Sequence, residues 1–291
     1  MATKRKAPEA SGSVLLETDD ASCEIGLFGG HILSWKVKGE EQMFMSSKAI
    51  FDGGESGTVA IRGGVPICWP QFGFFKTAAN APDAKHGLIR YSHNWVASKV
   101  SARSATLELA PDAAMKARWS ADFKFSYTVS IQGSSSLRIV TEVANLSETE
   151  PLEFTGCLHT YWACENAGSC VVEGLKGAAV DVGIGATFRG TEAEARDPVP
   201  IAGETLTEAL YGGCTDACVL REGDRRLRLT KSGWPDWVVW NVGGEKAPSM
   251  GDLGEEEYKH FVCIEPTAAT KVPVVPPGGT WVAYHEAERL A

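Results

Sequence analysis

The chain has 291 residues, 44% hydrophobic and 22% charged, the balance of an ordinary globular protein with enough length to bury a sizeable core. Its 28 Lys and Arg against 37 Asp and Glu give a formal net charge of −9. That excludes a general nucleic-acid binder, because affinity for a phosphate backbone needs a basic field, but it leaves room for a small anion held by a few local arginines.

The opening residues through Thr18 are polar and bear a proline, and they read as a disordered tail; Lys4-Arg5-Lys6 would then be solvated. From Ala21 the pattern becomes strand, turn, strand: Cys23 to Phe28, Gly29-Gly30, His31 to Val37, Lys38-Gly39, and a third apolar run from Met43 to Met45. The 31 glycines exceed the usual ~7% share and often occur as doublets, which suits tight turns between short strands. Residues 46 to 60 read as a loop. Ile61 to Gly73 combines a charge, two glycines and two prolines around a short apolar centre. Proline cannot donate to a ladder, so this stretch cannot be a central strand and is better read as backbone laid close to a ligand.

After a polar loop, Ala84 to Trp95 gathers Lys85, His86, Arg90 and His93. Pro111-Asp112 opens a short helix within 111 to 122. Phe125, Tyr127, Val129 and Ile131 then alternate with polar residues, a period of two that marks a half-buried strand, and Leu137 to Leu146 follows across a Gly133 turn. Phe154 to Cys164 reads as a buried strand and its exit, with His159 inside it. Short strands recur at Val171-Val172, at Ala178 to Val182, and in a hairpin around Glu222-Gly223-Asp224; Asp236 to Asn241, Val262 to Glu265 and Trp281 to His285 complete the set. Residues 243 to 259 form an acidic loop. Without a tandem repeat or a long linker, residues 19 to 291 are expected to form one all-β domain, a large antiparallel β-sandwich.

Eight cysteines are dispersed without a CxxC, and buried reduced thiols are their expected state. With no secretory or membrane-spanning run apparent, a cytoplasmic protein is expected. Signatures for a serine-hydrolase elbow, a phosphate loop, a zinc helix or a dinucleotide loop are missing, and the histidines lack metal-ligand spacing.

Three groups of residues carry chemistry. His159 has a side chain that exchanges its proton near neutrality, and Glu265 ends an apolar strand against Pro266, a costly place for a carboxylate without a use. Arg62, Lys85, His86 and Arg90 supply donors suited to an anion. Trp69, Trp162 and Trp240 offer flat faces on which a sugar ring can stack. Each has a plainer reading as core histidine, solvated cation or packed indole; together they point to a pocket for an anionic polar ligand. A retaining glycosidase would need two carboxylates, and Glu265 alone is convincing.

Five segments in order, Arg62-Gly-Gly-Val-Pro-Ile-Cys-Trp-Pro70, Lys85-His-Gly-Leu-Ile-Arg90, Leu158-His-Thr-Tyr161, Asp236-Trp-Val-Val-Trp-Asn241 and Cys263-Ile-Glu-Pro266, resemble the hexose-6-phosphate mutarotases, the glucose-6-phosphate 1-epimerases of the aldose 1-epimerase superfamily. The resemblance runs from about residue 20 to 288. It implies a β-supersandwich, no cofactor and no metal, and a monomer acting on a small sugar phosphate rather than on nucleic acid or membrane. It further implies that His159 and Glu265 are the catalytic pair and that Arg62, Lys85, His86 and Arg90 bind substrate. Three positions depart from the family pattern: Lys85 stands for a glutamine, Glu208 for a sugar-binding aspartate, and Val242 for a proline after the Trp-Asn pair. The implied reaction is interconversion of hexose 6-phosphate anomers by ring opening, with Glu265 as base on O1–H and protonated His159 as acid on O5. A carboxylate and an imidazolium sharing a pocket are expected to favour each other's charged forms. The competing readings are a sugar-phosphate-binding module without turnover and an epimerase of neutral aldoses.

Overall fold

Alternation of apolar and polar residues builds the larger sheet. In the computed structural model, which describes residues 12–75, 84–185 and 187–291, Phe123–Gln132 buries every second side chain and pairs antiparallel with Ser136–Asn145 along its whole length. These two strands sit within a nine-stranded sheet that also holds Ser104–Leu109, Arg225–Ser232 and Thr280–Arg289. The hairpin between Ala217–Glu222 and Arg225–Ser232 turns at Gly223, whose φ of 57° explains the glycine there.

An eight-stranded sheet lies against it. Its path runs through Glu192–Ala193, Ala179–Val182, Thr207–Gly212, Asp236–Asn241, Phe261–Ala268, Gly156–Leu158 and Ile67–Cys68, with Tyr161–Ala163 also paired to Phe261–Ala268. Phe261–Ala268 is buried throughout, as a central strand covered on both faces must be. One face turns Trp162, Trp237, Val239 and Ile264 into the same core as Leu107, Phe125, Tyr127 and Ile139 of the larger sheet. Each such large apolar side chain contributes roughly 1.5–3 kcal/mol on burial. The residues of opposite parity, Tyr161, Cys263, Leu210 and Val238 among them, fall in separate apolar clusters on the other face.

The expected sandwich is therefore present, and Ile67–Cys68 takes only a two-residue place at the end of its sheet, as its prolines require. The helix forms over Ala113–Arg118, with the Asp112 carboxylate accepting from the Met115 N–H at 2.7 Å. One boundary needs correction. The tail expected over residues 1–18 does not include Ser13–Glu17, which is a strand paired with Ala21–Gly26 in a four-stranded sheet. Its Val-Leu-Leu core is too short to show a period by itself, and Leu16 is fully buried. Lys4-Arg5-Lys6 and most of the polar loop before Ala84 lie outside the described residues.

Candidate active site

The pairing of Gly156–Leu158 and Tyr161–Ala163 with Phe261–Ala268 determines what faces what. Cys157 lies opposite Thr267 and Tyr161 lies opposite Cys263, so one register holds on both sides of the break at His159. That register puts His159 directly across from Glu265. The break is local: Thr160 N–H donates to Leu158 O at 2.8 Å, and His159 N–H donates to Pro66 O at 3.0 Å. His159 Nδ1 and Glu265 Oε1 are 3.0 Å apart, with side chains 12% and 1% exposed. Neither atom makes an aligned hydrogen bond among the described residues.

Both groups line a cavity of about 370 Å³. Arg62, Lys85, His86, Arg90 and Glu208 line it too, so the expected acid–base and substrate-binding residues meet in one place. Two glycines make the approach of the basic segments possible. A Cβ on Gly64 would lie 2.1 Å from Ile32 O, and one on Gly87 would lie 2.1 Å from Trp69 O. The Arg62 turn thereby presses on His31–Val37, and the His86-Gly87 turn presses on Trp69-Pro70. His86 itself adopts φ 62°, unusual for a side-chain-bearing residue. Its N–H donates to Gly73 O at 3.1 Å, while its Nδ1 accepts the Gly73 N–H at 3.2 Å, which leaves Nε2 to carry the ring proton.

Arg62 is less free than its sequence implies. Its Nε and one terminal nitrogen reach Asp252 Oδ2 at 3.2 and 3.1 Å, and the other terminal nitrogen donates to the Tyr161 hydroxyl at 2.8 Å. Asp252 belongs to the acidic loop after Gly243. Glu257 ties that loop down by accepting from the Ser46 hydroxyl, Ser47 N–H and Gly254 N–H. The carboxylate that neutralises Arg62 could not be picked from its sequence, because only the folded loop brings it there. Among the described residues, the exposed Lys85 side chain and the Arg90 guanidinium are the less compensated cations at the cavity. Arg90 donates to Lys85 O at 3.2 Å, and its buried Nε has no hydrogen-bond partner among the described residues. Glu208 lies on Thr207–Gly212 beside Trp240 and accepts the Ile184 N–H at 3.0 Å.

The tryptophans divide. Trp240 lines the cavity, edge-on to His159 at 5.6 Å between centroids, and Tyr161 stacks on the imidazole at 5.0 Å. Trp69 and Trp162 are corrected to core residues: each is almost fully buried, and Trp69 packs against Trp119, Phe123, Phe125 and Phe154. A tryptophan next to a site residue in sequence points to the opposite face of the strand, which is why proximity misled.

The electrostatic expectation is also corrected. Burial pushes the Glu265 carboxyl well above the usual carboxylate range, against a hydrogen bond from Cys157, with Glu208 adding in the same upward direction. Burial pushes His159 well below the usual imidazole value, and the nearby His86, Arg62 and Arg90 side chains act in the same direction. Desolvation thus outweighs mutual attraction, favouring carboxylic acid and neutral imidazole. His159, Cys263 and Glu265 also bring one donor atom each within 4.8 Å of one another. The neighbouring Arg62 opposes a dication there, so none of the three is assigned as a ligand. Cys164, Cys170 and Glu222 converge similarly elsewhere, but both Glu222 oxygens already accept backbone N–H groups of Glu165 and Asn166.

A Cenchrus ciliaris protein named "Putative glucose-6-phosphate 1-epimerase" is 33% identical over 289 residues, covering 95% of this chain and 84% of that protein. An Escherichia coli (strain K12) protein of the same name is 29% identical over 286 residues, covering 94% and 88%. The crystal structure of a Salmonella typhimurium protein described as a "putative mutarotase" has the same fold, with a TM-score of 0.79 at 24% identity over 95% of this chain and 90% of that one. A Synechocystis sp. PCC 6803 structure does likewise, at TM-score 0.78, 18% identity and 99% coverage of both chains. The aldose 1-epimerase family profile matches residues 12–287. With nearly its whole length matched, this chain belongs to the aldose 1-epimerase family and is a carbohydrate epimerase.

Proposed function

We propose that this protein interconverts the α and β anomers of a hexose 6-phosphate, with glucose 6-phosphate as its reference substrate. The observation that carries the reading is the cavity itself: His159 and Glu265 stand 3.0 Å apart, and Lys85, His86 and Arg90 supply cationic and donor groups to the same space. The names of the Cenchrus ciliaris and Escherichia coli relatives support the same substrate.

Ring opening removes the proton on O1 and delivers one to O5 as the C1–O5 bond breaks. Glu265 takes the first and His159 gives the second. Rotation about C1–C2 presents the other carbonyl face, and closure returns both protons. The pair begins as carboxylate and imidazolium, passes to carboxylic acid and imidazole while the sugar is open, and ends as it began. Its net charge never changes. Burial favours the acid and imidazole form, which is the form that accompanies the open chain. A phosphate dianion at Arg90 and Lys85 offsets the cations that add to the burial of His159, and so shifts it toward the imidazolium that opening requires. A phosphorylated sugar thereby helps to set the protonation of the group that acts on it.

The test is anomer exchange followed by NMR at the C1 proton, on glucose 6-phosphate, glucose and galactose. Faster exchange on the phosphorylated sugar is expected. Equal or faster exchange on the neutral sugars would replace this reading with a neutral-aldose epimerase, and binding of the phosphate sugar without exchange would replace it with a binding module.

A further inference from the structure

We propose that Cys157 is a positioning residue for Glu265: its thiol S–H holds Oε2 so that Oε1 faces the cavity. The inference rests on the reading of Glu265 as the base. Cys157 Sγ lies 2.9 Å from Glu265 Oε2, and both residues are essentially without solvent exposure. Among the described residues this is the one hydrogen bond recorded to that carboxylate.

The arrangement follows from the sheet. Cys157 lies opposite Thr267, two residues beyond Glu265 on the same strand, so Cys157 and Glu265 are diagonal neighbours on the cavity face. On its other side Cys157 lies opposite Cys68, also fully buried. Burial, then the side chain of Cys68 and the adjacent Glu265 carboxylate, push the Cys157 thiol well above its ordinary range, so it remains protonated and a donor. A buried carboxylate that must ionise needs at least one such donor. Without it, Oε2 loses its partner and the carboxyl is free to rotate, so that Oε1 is no longer held in its place 3.0 Å from His159 Nδ1. That loss of orientation would misplace the base relative to the sugar.

The experiment uses the full chain with Cys157→Ala and Cys157→Ser, measuring anomer exchange on glucose 6-phosphate from pH 5 to 9. The alanine variant is expected to lose about tenfold in kcat with little change in KM, because the lost hydrogen bond is to a charged group. The acidic limb of its kcat/KM profile should move to higher pH. The serine variant, with its hydroxyl donor, should recover most of both. An alanine variant with unchanged kcat and pH profile would overturn the proposal, as would equal losses in both variants, which would make the effect one of packing. A second readout does not depend on turnover: the titration midpoint of Glu265, followed by carbon NMR of the labelled carboxyl in the substrate-free protein, should rise in Cys157→Ala and return in Cys157→Ser. An unmoved midpoint counts against the proposal even if the wild type exchanges anomers. Inactivity of the wild type with a moved midpoint would sink the functional reading alone. Should the alanine variant fail to fold, the same comparison runs on Cys157→Ser against Cys157→Val, which fill the space with and without a donor.

Discussion

His159 and Glu265 face each other across a single antiparallel register, 3.0 Å apart, at the one interruption between Gly156–Leu158 and Tyr161–Ala163. Neither is placed by a mobile loop. A pair fixed by strand pairing needs no reorganisation to exchange protons with a bound sugar, and the cavity holds it out of bulk water.

The first prediction concerns this pair. His159→Ala and Glu265→Gln should each lower kcat for anomer exchange by roughly 10²–10⁴-fold, the usual contribution of a positioned acid or base. Because one proton leaves the sugar as another arrives, the double variant should be little worse than the poorer single one. Near-normal turnover in either folded single variant would remove that residue from the mechanism.

How much of this was legible in the sequence depended on which physical rule was in play. Alternation marked Phe123–Gln132 and Ser136–Asn145, since period two is read directly. Proline and glycine marked Ile61 to Gly73 as backbone near a ligand, and that segment lines the cavity. The seven candidate residues that line the cavity were recognisable by type and motif. What could not be read was long-range: the salt bridge from Asp252 to Arg62, the thiol behind Glu265, and the core side of Trp69 and Trp162 all depend on register and loop packing. The protonation of the pair was misjudged for the same reason, because burial is a property of the fold and it dominates both shifts.

Stability should follow those shifts. Glu265 binds its proton more tightly folded than unfolded, so its contribution is present below the unfolded value of about 4.3 and is lost as pH rises through the raised folded value. Glu265→Gln should therefore melt higher than the wild type at pH 8 and no higher at pH 4, while being inactive at both. Equal melting differences at the two pH values would contradict the burial argument.

Two core histidines predict the acid limb. His31 Nε2–H donates to Gly63 O, and His285 Nδ1–H donates to Thr230 O; burial lowers both to about 4. Each is a lowered base, so the unfolded chain binds the proton first, and native stability falls as pH drops from about 6.5 toward 4. The loss is roughly 1.4 kcal/mol per pH unit for each histidine within that window. Denaturant titrations at pH 7, 6 and 5 on the wild type and on His285→Gln check this. The variant should show a shallower decline, and parallel declines would exclude His285 as a source.

Chelation should leave the activity intact, since the proposed steps move only protons on this chain's own side chains. Anomer exchange measured before and after dialysis against EDTA should agree. Loss that zinc restores would reassign His159, Cys263 and Glu265, whose donor atoms already converge within 4.8 Å.

The last prediction separates the cations at the cavity. Arg62 is held by Asp252 and Tyr161, so much of its charge is already answered and its remaining donors suit sugar hydroxyls. Arg90 lines the same cavity with a buried Nε lacking a partner among the described residues, and exposed Lys85 adds a point charge beside it. A charge-assisted hydrogen bond is worth roughly 1.5–3 kcal/mol, about 10- to 100-fold in affinity. Arg90→Ala should therefore raise KM for glucose 6-phosphate by about that factor while leaving free glucose nearly unchanged. It should also lower kcat on the phosphorylated sugar, because the dianion that favours the His159 imidazolium is no longer seated. Lys85→Ala should act in the same direction but more weakly, its ammonium being flexible and hydrated. Arg62→Ala should impair both sugars, and Asp252→Asn in that background should recover part of the loss by removing an unpaired carboxylate. Steady-state rates for the four variants on both sugars decide the matter. If Arg90→Ala weakens glucose and glucose 6-phosphate equally, Arg90 is scaffolding and the phosphate is held elsewhere. If Arg62→Ala alone abolishes the preference for phosphate, the neutralising role given to Asp252 is wrong.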